Sequence, residues 1–521
     1  MKEQFISDLT SRYTFKGQKI VLGKAMLEGE VVSEVEVGVP LKMINRHGLI
    51  AGATGTGKTK SLQILAEQLS LQGVPSLLMD IKGDLSGLAK PGNATNAKII
   101  ERYQKLGFSY TAQGFPVELL SISQEKGVRL RATVTEFGPV LLSKILSLND
   151  TQSSIMSIIF KYCDDKKLPL IDLDDLRKVL QFVTDDPQGK AELSQNYGSI
   201  ASSSLGAILR SIVTLEQQGA SRFFGEPSFD PQHLLRTKDG LGVISIIRLT
   251  DIQNNPQFFS TFMLSLLSEI YQTFPEIGDQ DKPKLAIFID EAHLIFKEAT
   301  KVLLNQIETM VKLIRSKGVG IYFCTQVPGD VPDGVLSQLG LKIQHALRGF
   351  TAKDKKEIDK AVENYPSSKY YKANELIQQL GIGEAFITSL DEKGIPTPLA
   401  DTFMISPSSR MDILTTEEID EIVTNSDLVK EYAQDIHKES AYEILSKKME
   451  VVAESTNPSE TSSSTTLPKT TSTPRKKEEP SLFEKIMNSP FVRDMGRTIV
   501  REGSKVFFGA LGVNNKRKYK K

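Results

Sequence analysis

The sequence predicts an α/β protein whose core is a mostly parallel β-sheet with helices packed against it. The first observation is a strand–loop–helix–strand unit, in which an apolar strand at 47–51, a glycine-rich loop and an amphipathic helix precede a second apolar strand at 76–80. The second is the return of apolar strand patterns at 242–247, 285–289 and 320–324, with helical patterns between them. Strands that alternate with helices in this way are typical of parallel sheets.

The composition is that of an ordinary globular protein. Of the 521 residues, 40% are hydrophobic and 25% are charged, and 64 basic residues balance 64 acidic ones. A net charge of zero excludes a global attraction to nucleic acid, so such a partner would have to meet a local basic surface. Cys163 and Cys324 form no paired metal-binding pattern. Since no apolar run has the length of a signal peptide or a membrane span, we expect a soluble, cytoplasmic protein with no integral membrane segment.

The chain is longer than one simple core requires, so we expect one large domain with additions. Val31–Val37 alternates apolar and polar residues, which predicts a half-buried strand, and Leu and Ile at helical spacing predict helices in the middle of the chain. A Ser/Thr/Pro-rich stretch predicts a disordered linker. The predicted segments are a small N-terminal β segment at 1–40, the first part of the core at 41–138, a helical insertion at 139–235, the second part of the core at 236–405, a helical extension at 406–453, the linker at 454–480, and an amphipathic helix with a basic tail at 481–521.

The glycine-rich loop matches the phosphate-binding pattern G-x-x-x-x-G-K-[ST] at every fixed position. In such a loop the backbone N–H groups surround the phosphates, and the following helix directs its positive end at them. Lys58 is predicted to reach the β- and γ-phosphates, and the Thr59 hydroxyl is predicted to bind Mg²⁺. A chance glycine-rich turn would lack the apolar strand before it and the amphipathic helix after it. We therefore predict that ATP and Mg²⁺ are the cofactors and that the nucleotide is bound by Gly52, Ala53, Thr54, Gly55, Thr56, Gly57, Lys58 and Thr59.

Two adjacent acids, Asp290 and Glu291, end the apolar strand at 285–289. Because α/β sites lie at the carboxyl ends of the strands, we expect both acids beside the phosphate-binding loop. Asp290 is predicted to hold Mg²⁺ together with Thr59, and Glu291 is predicted to act as the base that polarises the attacking water. The alternative is that both acids merely cap the following helix. Their fit to a phosphate-binding loop predicts ATP hydrolysis and not nucleotide binding alone.

Two residues at the ends of the next strand complete the predicted catalytic set of Lys58, Glu291, Gln326 and Arg315. Gln326 follows the strand, where its amide would contact the γ-phosphate or its water; the alternative is an ordinary polar strand end. Arg315 precedes the strand, and its guanidinium can bind phosphate oxygens in a fork, as an arginine finger does. Most arginines in helices are simply solvated, so Arg315 alone carries little weight.

The order of these motifs resembles the HerA–FtsK branch of P-loop ATPases. The phosphate-binding loop is followed far along the chain by Asp290-Glu291, and Arg315 then stands just ahead of a strand that ends in Thr325-Gln326. More narrowly, the chain resembles the YjgR-type helicase HerA-like family of bacterial ATPases over roughly residues 15–400. The stretches that carry this narrower resemblance are His47–Thr59, Met79–Leu88, Gln344–Thr351 and Gly381–Ala385.

The resemblance implies a RecA-like P-loop NTPase core that assembles as a ring, usually a hexamer, with ATP bound between subunits. Arg315 would then act in trans on the γ-phosphate of a neighbour. Arg348, which follows a predicted strand, is a second candidate for that role. The charged turn Asp80–Asp84 is open to two interpretations: Asp80 or Asp84 lies in the outer shell of Mg²⁺ or Lys82 touches phosphate, or the turn is merely solvated and bends at Gly83.

We expect an ATP hydrolase of the HerA–FtsK motor type that acts on DNA as a helicase or translocase. DNA enters through the resemblance, because no DNA- or RNA-binding consensus is recognisable. The basic end Lys516–Lys521 either contacts phosphate backbones or only solubilises the tail, and the segment Leu482–Leu511 is predicted to dock on the ring or on a protein partner. The alternative function is an ATP-gated regulatory or scaffolding assembly without translocation. A phosphotransferase is disfavoured, because no acceptor pocket is recognisable.

Overall fold

The computed structural model describes residues 1–455, apart from 253–254, 279, 298–300 and 435–438. Met1–Leu445 forms one compact unit, and Ser446–Lys521 forms a second unit that is described only as far as residue 455. Except for residues 454 and 455, the predicted linker at 454–480 and the predicted helix and basic tail at 481–521 lie outside the described residues.

Twelve of the described strands form one large sheet, and two more form a separate hairpin. The strands are β1 (Lys19–Leu27), β2 (Glu30–Pro40), β3 (Gly48–Ala51), β4 (Ser76–Asp80), β5 (Val117–Ser121), β6 (Val128–Arg129), β7 (Thr237–Lys238), β8 (Leu241–Gly242), β9 (Ile244–Arg248), β10 (Leu285–Ile289), β11 (Val319–Thr325), β12 (Leu341–Gln344), β13 (Glu384–Thr388) and β14 (Ala400–Met404). The order in the large sheet is β2-β1-β14-β13-β12-β3-β11-β10-β4-β9-β5-β6, and β7 pairs with β8.

The large sheet is parallel from β12 through β3 to β6, and its other four strands are antiparallel. The strand β3 lies between β12 and β11, and β10 lies between β11 and β4. Since parallel strands run in the same direction, the loops that follow β3, β11, β10 and β4 all leave from one edge of the sheet. We call this edge the carboxyl edge.

Both faces of the sheet are covered, as the uninterrupted apolar sequence of β10 requires. Leu285, Ile287 and Ile289 belong to one apolar core, which also contains the helices that follow β6. Ala286 and Phe288 belong to the other core, which contains the helix that follows the glycine-rich loop. Adjacent residues of one strand therefore pack against different helical layers.

Seventeen α-helices are described, and five of them lie between β6 and β7 in the sequence. They are α1 (Lys2–Tyr13), α2 (Lys58–Leu71), α3 (Ala97–Leu106), α4 (Val134–Ile145), α5 (Asp150–Lys166), α6 (Leu173–Asp185), α7 (Pro187–Tyr197), α8 (Ser202–Gln217), α9 (Pro256–Thr273), α10 (His293–Lys297), α11 (Lys301–Ile314), α12 (Asp333–Leu336), α13 (Ala352–Val362), α14 (Ala373–Leu376), α15 (Thr416–Asn425), α16 (Asp427–Tyr432) and α17 (Ala441–Ser455).

The N-terminal segment differs from the small β appendage predicted for residues 1–40. It begins with the helix α1, in which Phe5, Leu9 and Tyr13 are buried at a spacing of four residues, as on one face of a helix. The strands β1 and β2 do follow, but β1 pairs with β14 and so extends the large sheet. The prediction missed this because the partner strand β14 lies some 380 positions away in the sequence, so no local pattern shows the pairing.

Helices α4 to α8 form the insertion between β6 and β7, where the sequence analysis predicted helices over 139–235. Capping boxes at Thr133, Asn149 and Asp172 start three of these helices, because each side chain accepts the orphan N–H of the first turn. Of the helices that the structure describes, none alone has the length and apolar character to cross a membrane. The pair α7 and α8, bent by 109°, meets that criterion only when the two are taken together.

Candidate functional site

The glycine-rich loop lies at the carboxyl edge, between β3 and α2, near the centre of the sheet. Gly52, Gly55 and Gly57 have φ angles of 153°, 78° and 120°, a backbone region that favours glycine. The helix α2 begins at Lys58, and no side chain caps its first turn. The loop therefore has the curved backbone and the uncapped helix terminus that bind phosphate groups.

The loop is fixed to the ends of the two strands that flank β3. The Gly52 N–H lies 3.3 Å from the Thr325 carbonyl and 3.1 Å from the Gln326 carbonyl, and the Ala53 N–H donates to the Ala346 carbonyl at 2.8 Å. A Cβ atom at Gly52 would lie only 2.5 Å from the His345 Cβ, so a larger residue would displace the loop. Residues that follow β11 and β12 thus position the phosphate-binding loop.

His345 supports the loop from below, a role that the sequence analysis did not recognise. Its Nδ1 lies 2.9 Å from the Glu384 carbonyl and therefore carries the proton, which leaves Nε2 to accept the Ser61 hydroxyl at 2.8 Å. Burial lowers the pKa of His345 to about 4, so the imidazole is neutral at pH 7. In the sequence, the stretch that begins at Gln344 carries part of the family resemblance, and no local pattern in it indicates a contact with the loop.

Lys58 is buried at the start of α2, and its Nζ donates to the Ala53 carbonyl at 3.1 Å within the loop. Burial lowers the pKa of Lys58, and the neighbouring groups that act on its charge include Cys324, Asp290 and Glu291. The lysine and the two acids predicted from distant parts of the sequence are therefore neighbours in the structure.

Asp290 and Glu291 follow β10 at the carboxyl edge, and both are buried. The Asp290 Oδ2 and Glu291 Oε2 atoms have no hydrogen-bond partner. The Glu291 Oε2 lies 3.1 Å from the His293 Nδ1, but the two atoms do not have hydrogen-bond geometry. Glu291 has a φ of 48°, a strained backbone for a residue with a side chain. Unpaired buried oxygens and local strain together indicate a site arranged for a ligand and not for stability.

Two of the remaining predicted residues lie at the same edge. Gln326 follows β11, which lies between β3 and β10, and its side chain is exposed. Thr59 lies in the first turn of α2 and is partly buried. The carboxyl edge therefore brings together Lys58, Thr59, Asp290, Glu291 and Gln326.

Arg315 lies at the opposite edge of the sheet from this group. It precedes β11, and its charge helps burial to lower the pKa of His47, the residue directly before β3. Since β11 spans seven residues, Arg315 is roughly 20 Å from the glycine-rich loop of its own chain. Arg348 lies at the carboxyl edge, but its guanidinium donates to the Gln378 carbonyl and, at 3.0 Å, to the Leu380 carbonyl.

The residues present fit a nucleotide with Mg²⁺. The loop glycines and the uncapped N-terminus of α2 offer N–H groups to phosphate, and Lys58 adds a positive charge. Asp290 offers a buried carboxylate oxygen that has no hydrogen-bond partner, and Thr59 offers a hydroxyl from the first turn of α2. Oxygen ligands of this kind suit Mg²⁺, which retains several waters beside one or two protein ligands.

Asp290→Asn is expected to stabilise the protein at pH 8 by about 1–3 kcal/mol when nucleotide and Mg²⁺ are absent. Burial raises the pKa of Asp290 from 3.8 to about 6, so the folded state binds this proton more tightly than the unfolded state. The stabilisation due to the protonated carboxyl is therefore lost as the pH rises from about 4 to about 6. Urea titrations in EDTA at pH 4 and pH 8 measure the effect.

The control for this substitution is Asp427→Asn, because the Asp427 side chain is 95% exposed. Its effect on the free energy of unfolding should be small at both pH values. An equal effect of Asp290→Asn at pH 4 and at pH 8 would contradict the raised pKa of Asp290.

Comparisons with known proteins show the family and the fold of this chain. The family described as Helicase HerA-like C-terminal matches residues 26–517. The DNA double-strand break repair helicase HerA of Sulfolobus acidocaldarius is 21% identical over 336 residues, which cover 64% of this chain. The chain spans 61% of the length of that relative.

Solved structures with a similar fold include two of the coupling protein TrwB. The unbound bacterial conjugative coupling protein TrwB has a TM-score of 0.50 at 15% identity, covering 78% of this chain and 95% of that one. The plasmid coupling protein TrwB in complex with ADP and Mg²⁺ has a TM-score of 0.50 at 14% identity, covering 78% and 94%. At these identities the likeness establishes the fold, and it confirms the predicted RecA-like α/β core.

Proposed function

The chain belongs to the Helicase HerA-like C-terminal family, and we propose that it is a cytoplasmic, Mg²⁺-dependent ATPase that works as a ring, a hexamer, and moves along DNA as a helicase or translocase. The observation that carries the hydrolytic part is the convergence of Lys58, Asp290 and Glu291 at one edge of the sheet, although Lys58 lies more than 230 residues before the two acids in the sequence. The DNA and ring assignments are supported by the family and by the HerA relative.

The residues of the loop would bind the phosphates through their N–H groups, with Lys58 at the β- and γ-phosphates. Thr59 and Asp290 would hold Mg²⁺, which when bound neutralises charge on the phosphate oxygens. Glu291 would accept a proton from the attacking water, and the Gln326 amide would orient that water. Their buried or partly exposed positions at the carboxyl edge of the sheet support these roles, because hydrolysis depends mainly on positioning and charge.

Arg315 is assigned to the site of a neighbouring subunit. Its place at the far edge of the sheet keeps it from its own loop, and this position supports action in trans on a neighbouring subunit. The guanidinium of Arg348 donates to two backbone carbonyls, which supports a structural role for Arg348. We rank Arg315 ahead of Arg348 as the finger, because Arg315 stands just before the strand that ends in Thr325-Gln326.

Arg315→Ala is expected to lower ATP hydrolysis by about 100-fold or more, because the γ-phosphate loses its trans cation. Mixing Arg315→Ala subunits with Lys58→Ala subunits should restore part of the activity. In a mixed ring an intact loop meets an intact Arg315 at roughly a quarter of the interfaces. The ATPase rate of the mixture, compared with the sum of the separate rates, measures this rescue.

Arg177→Ala is the matched control for Arg315→Ala. Arg177 pairs with Asp174 and Glu216 on the surface of the insertion, so its loss should leave the ATPase rate within about twofold. If the mixed subunits exchange and still show no rescue, Arg315 does not act in trans.

The steady-state ATPase rate with and without duplex DNA, single-stranded DNA and RNA tests the assignment to DNA. We expect duplex or single-stranded DNA to stimulate hydrolysis several-fold, and we expect the stimulation to fall as salt rises, because phosphate contacts release counterions. The mass of the protein with and without ATP, measured in parallel, reports ring formation.

Two outcomes would overturn parts of this proposal. Hydrolysis that no nucleic acid stimulates, in a ring that forms only with ATP, would favour the regulatory or scaffolding assembly. Transfer of labelled γ-phosphate to an acceptor, in place of free phosphate, would contradict the hydrolase assignment.

A further inference from the structure

Lys82 forms an ion pair with Glu291, although the mechanism above gives Lys82 no role. The Lys82 Nζ contacts the Glu291 Oε1, so one oxygen of the proposed base is paired with a cation. From this contact we propose that Lys82 restrains Glu291 until ATP binds, and that Lys82 then leaves Glu291 for the γ-phosphate. The inference rests on the proposed function, because it assumes that Glu291 is the base.

The turn that carries Lys82 is rigid. The buried Asp80 carboxylate accepts the N–H groups of Gly83 at 2.7 Å, Asp84 at 3.2 Å and Leu85 at 3.1 Å. Gly83 has a φ of 78°, and a Cβ atom there would lie 2.8 Å from the Thr250 Cγ2. These contacts hold the backbone of the turn in place, with the lysine beside β10 at the carboxyl edge.

The side chain of Lys82 is free to move where Glu291 is not. The Lys82 side chain is 39% exposed, whereas the Glu291 side chain is 8% exposed and its backbone is strained. A long, partly exposed lysine can exchange partners by rotation about its four side-chain bonds. The restraint on Glu291 is therefore removed by movement of Lys82.

The electrostatics of the site favour this exchange when a triphosphate is present. Lys82 and Lys58 influence each other's charge, so both lie near the place that the loop assigns to the terminal phosphates. A γ-phosphate carries more negative charge than a carboxylate and offers more acceptor oxygens. ADP lacks that group and leaves the pair between Lys82 and Glu291 intact. The pair would thus distinguish ATP from ADP.

This exchange has a thermodynamic consequence, because the ion pair competes with ATP for Lys82. The apparent affinity for ATP should rise when the competing state, in which Lys82 is paired with Glu291, is destabilised. Glu291→Gln, which weakens the pair, should therefore tighten binding of a non-hydrolysable ATP analogue by about tenfold, or about 1.4 kcal/mol, and leave ADP affinity within about twofold. In a Lys82→Met background the same change should have no effect on ATP-analogue affinity.

Equilibrium binding of the ATP analogue and of ADP is measured for the parent, Glu291→Gln, Lys82→Met and the double variant of the full chain. Lys82→Arg keeps the cation and should keep the coupling, which guards against misfolding of Lys82→Met. Lys90→Met is the charge-matched control, because Lys90 pairs with Glu421 at the surface and its loss should leave the coupling unchanged.

Equal tightening by Glu291→Gln with and without Lys82 would overturn the inference, since it would reflect only the removal of a negative charge. A change in ADP affinity as large as the change in ATP-analogue affinity would overturn it as well. Failure of the proposed function looks different, because Glu291→Gln would then hydrolyse ATP at the parental rate or the parent would not bind ATP at all. Coupling confined to ATP and dependent on Lys82 would support the proposal.

Discussion

Glu291→Gln is expected to lower kcat for ATP hydrolysis by about 100- to 10,000-fold while ATP binding is retained. A glutamine has nearly the shape of glutamate but cannot accept a proton from water. Glu291 is buried, has one oxygen without a hydrogen-bond partner, and follows the strand that lies two places from the glycine-rich loop in the sheet. Single-turnover hydrolysis, measured beside equilibrium binding of ATP, separates the lost chemistry from lost affinity.

Glu118→Gln provides a control for this substitution. Glu118 is also a buried glutamate of the large sheet that pairs with a cation, Arg236 at 2.7 Å, but it lies in β5, away from the loop. Its loss should affect stability more than turnover, with kcat within about twofold of the parent. Parental hydrolysis by Glu291→Gln would assign the base to another residue.

The parts of the site that could be predicted from the sequence are those that are encoded locally. An apolar strand followed by a glycine-rich loop and an amphipathic helix predicts a phosphate-binding loop, and β3, the loop and α2 have that arrangement. The strand β10 was equally predictable, because its five apolar residues end in two acids. The local sequence of each segment is enough to predict its structure, because the pattern does not depend on a partner that is distant in the sequence.

The features that could not be predicted depend on residues far apart in the chain. His345 supports the loop through Ser61, which lies 284 residues away in the sequence. The residues around each of them in the sequence do not predict this contact. Lys82 was noted in a charged turn, but its pairing with Glu291 requires that β4 lie beside β10. Strand order in a sheet is set by the packing of the whole core, so contacts across it become visible only in the fold.

The pairing of the antiparallel strands of the large sheet could not be predicted from the sequence either. The strands β1 and β2 were predicted as an appendage and β14 was not predicted, yet β1 and β14 pair directly. The partners of these strands lie far apart in the sequence, so the local pattern of each strand does not show which strand it pairs with. The strands β1, β2 and β14 extend the sheet beyond β12 through pairing between residues that are far apart in the sequence.

Lys58→Ala is expected to weaken ATP binding by about 10- to 100-fold and to lower turnover of bound ATP by a further 100-fold or more. The change removes the cation that the loop presents to the β- and γ-phosphates. Negative charge develops on the leaving oxygen in the transition state, so the lysine stabilises the transition state more than bound ATP. The loss should therefore be larger in kcat than in affinity. Binding titrations and single-turnover rates at saturating ATP measure the two effects separately.

Stability in the absence of nucleotide distinguishes this loss from misfolding. Burial lowers the pKa of Lys58, which means that the folded protein holds the charge at a cost. Removing the lysine should therefore leave the melting temperature of the nucleotide-free protein unchanged or raised, and should abolish the rise that ATP causes in the parent. Lys60→Ala is the control, since the Lys60 Nζ donates to Gln63 and Met411 beside the loop and should leave the ATP-induced rise intact. A lower melting temperature without nucleotide, for both Lys58→Ala and the volume-preserving Lys58→Met, would show that the buried lysine stabilises the fold, contrary to a role limited to phosphate binding.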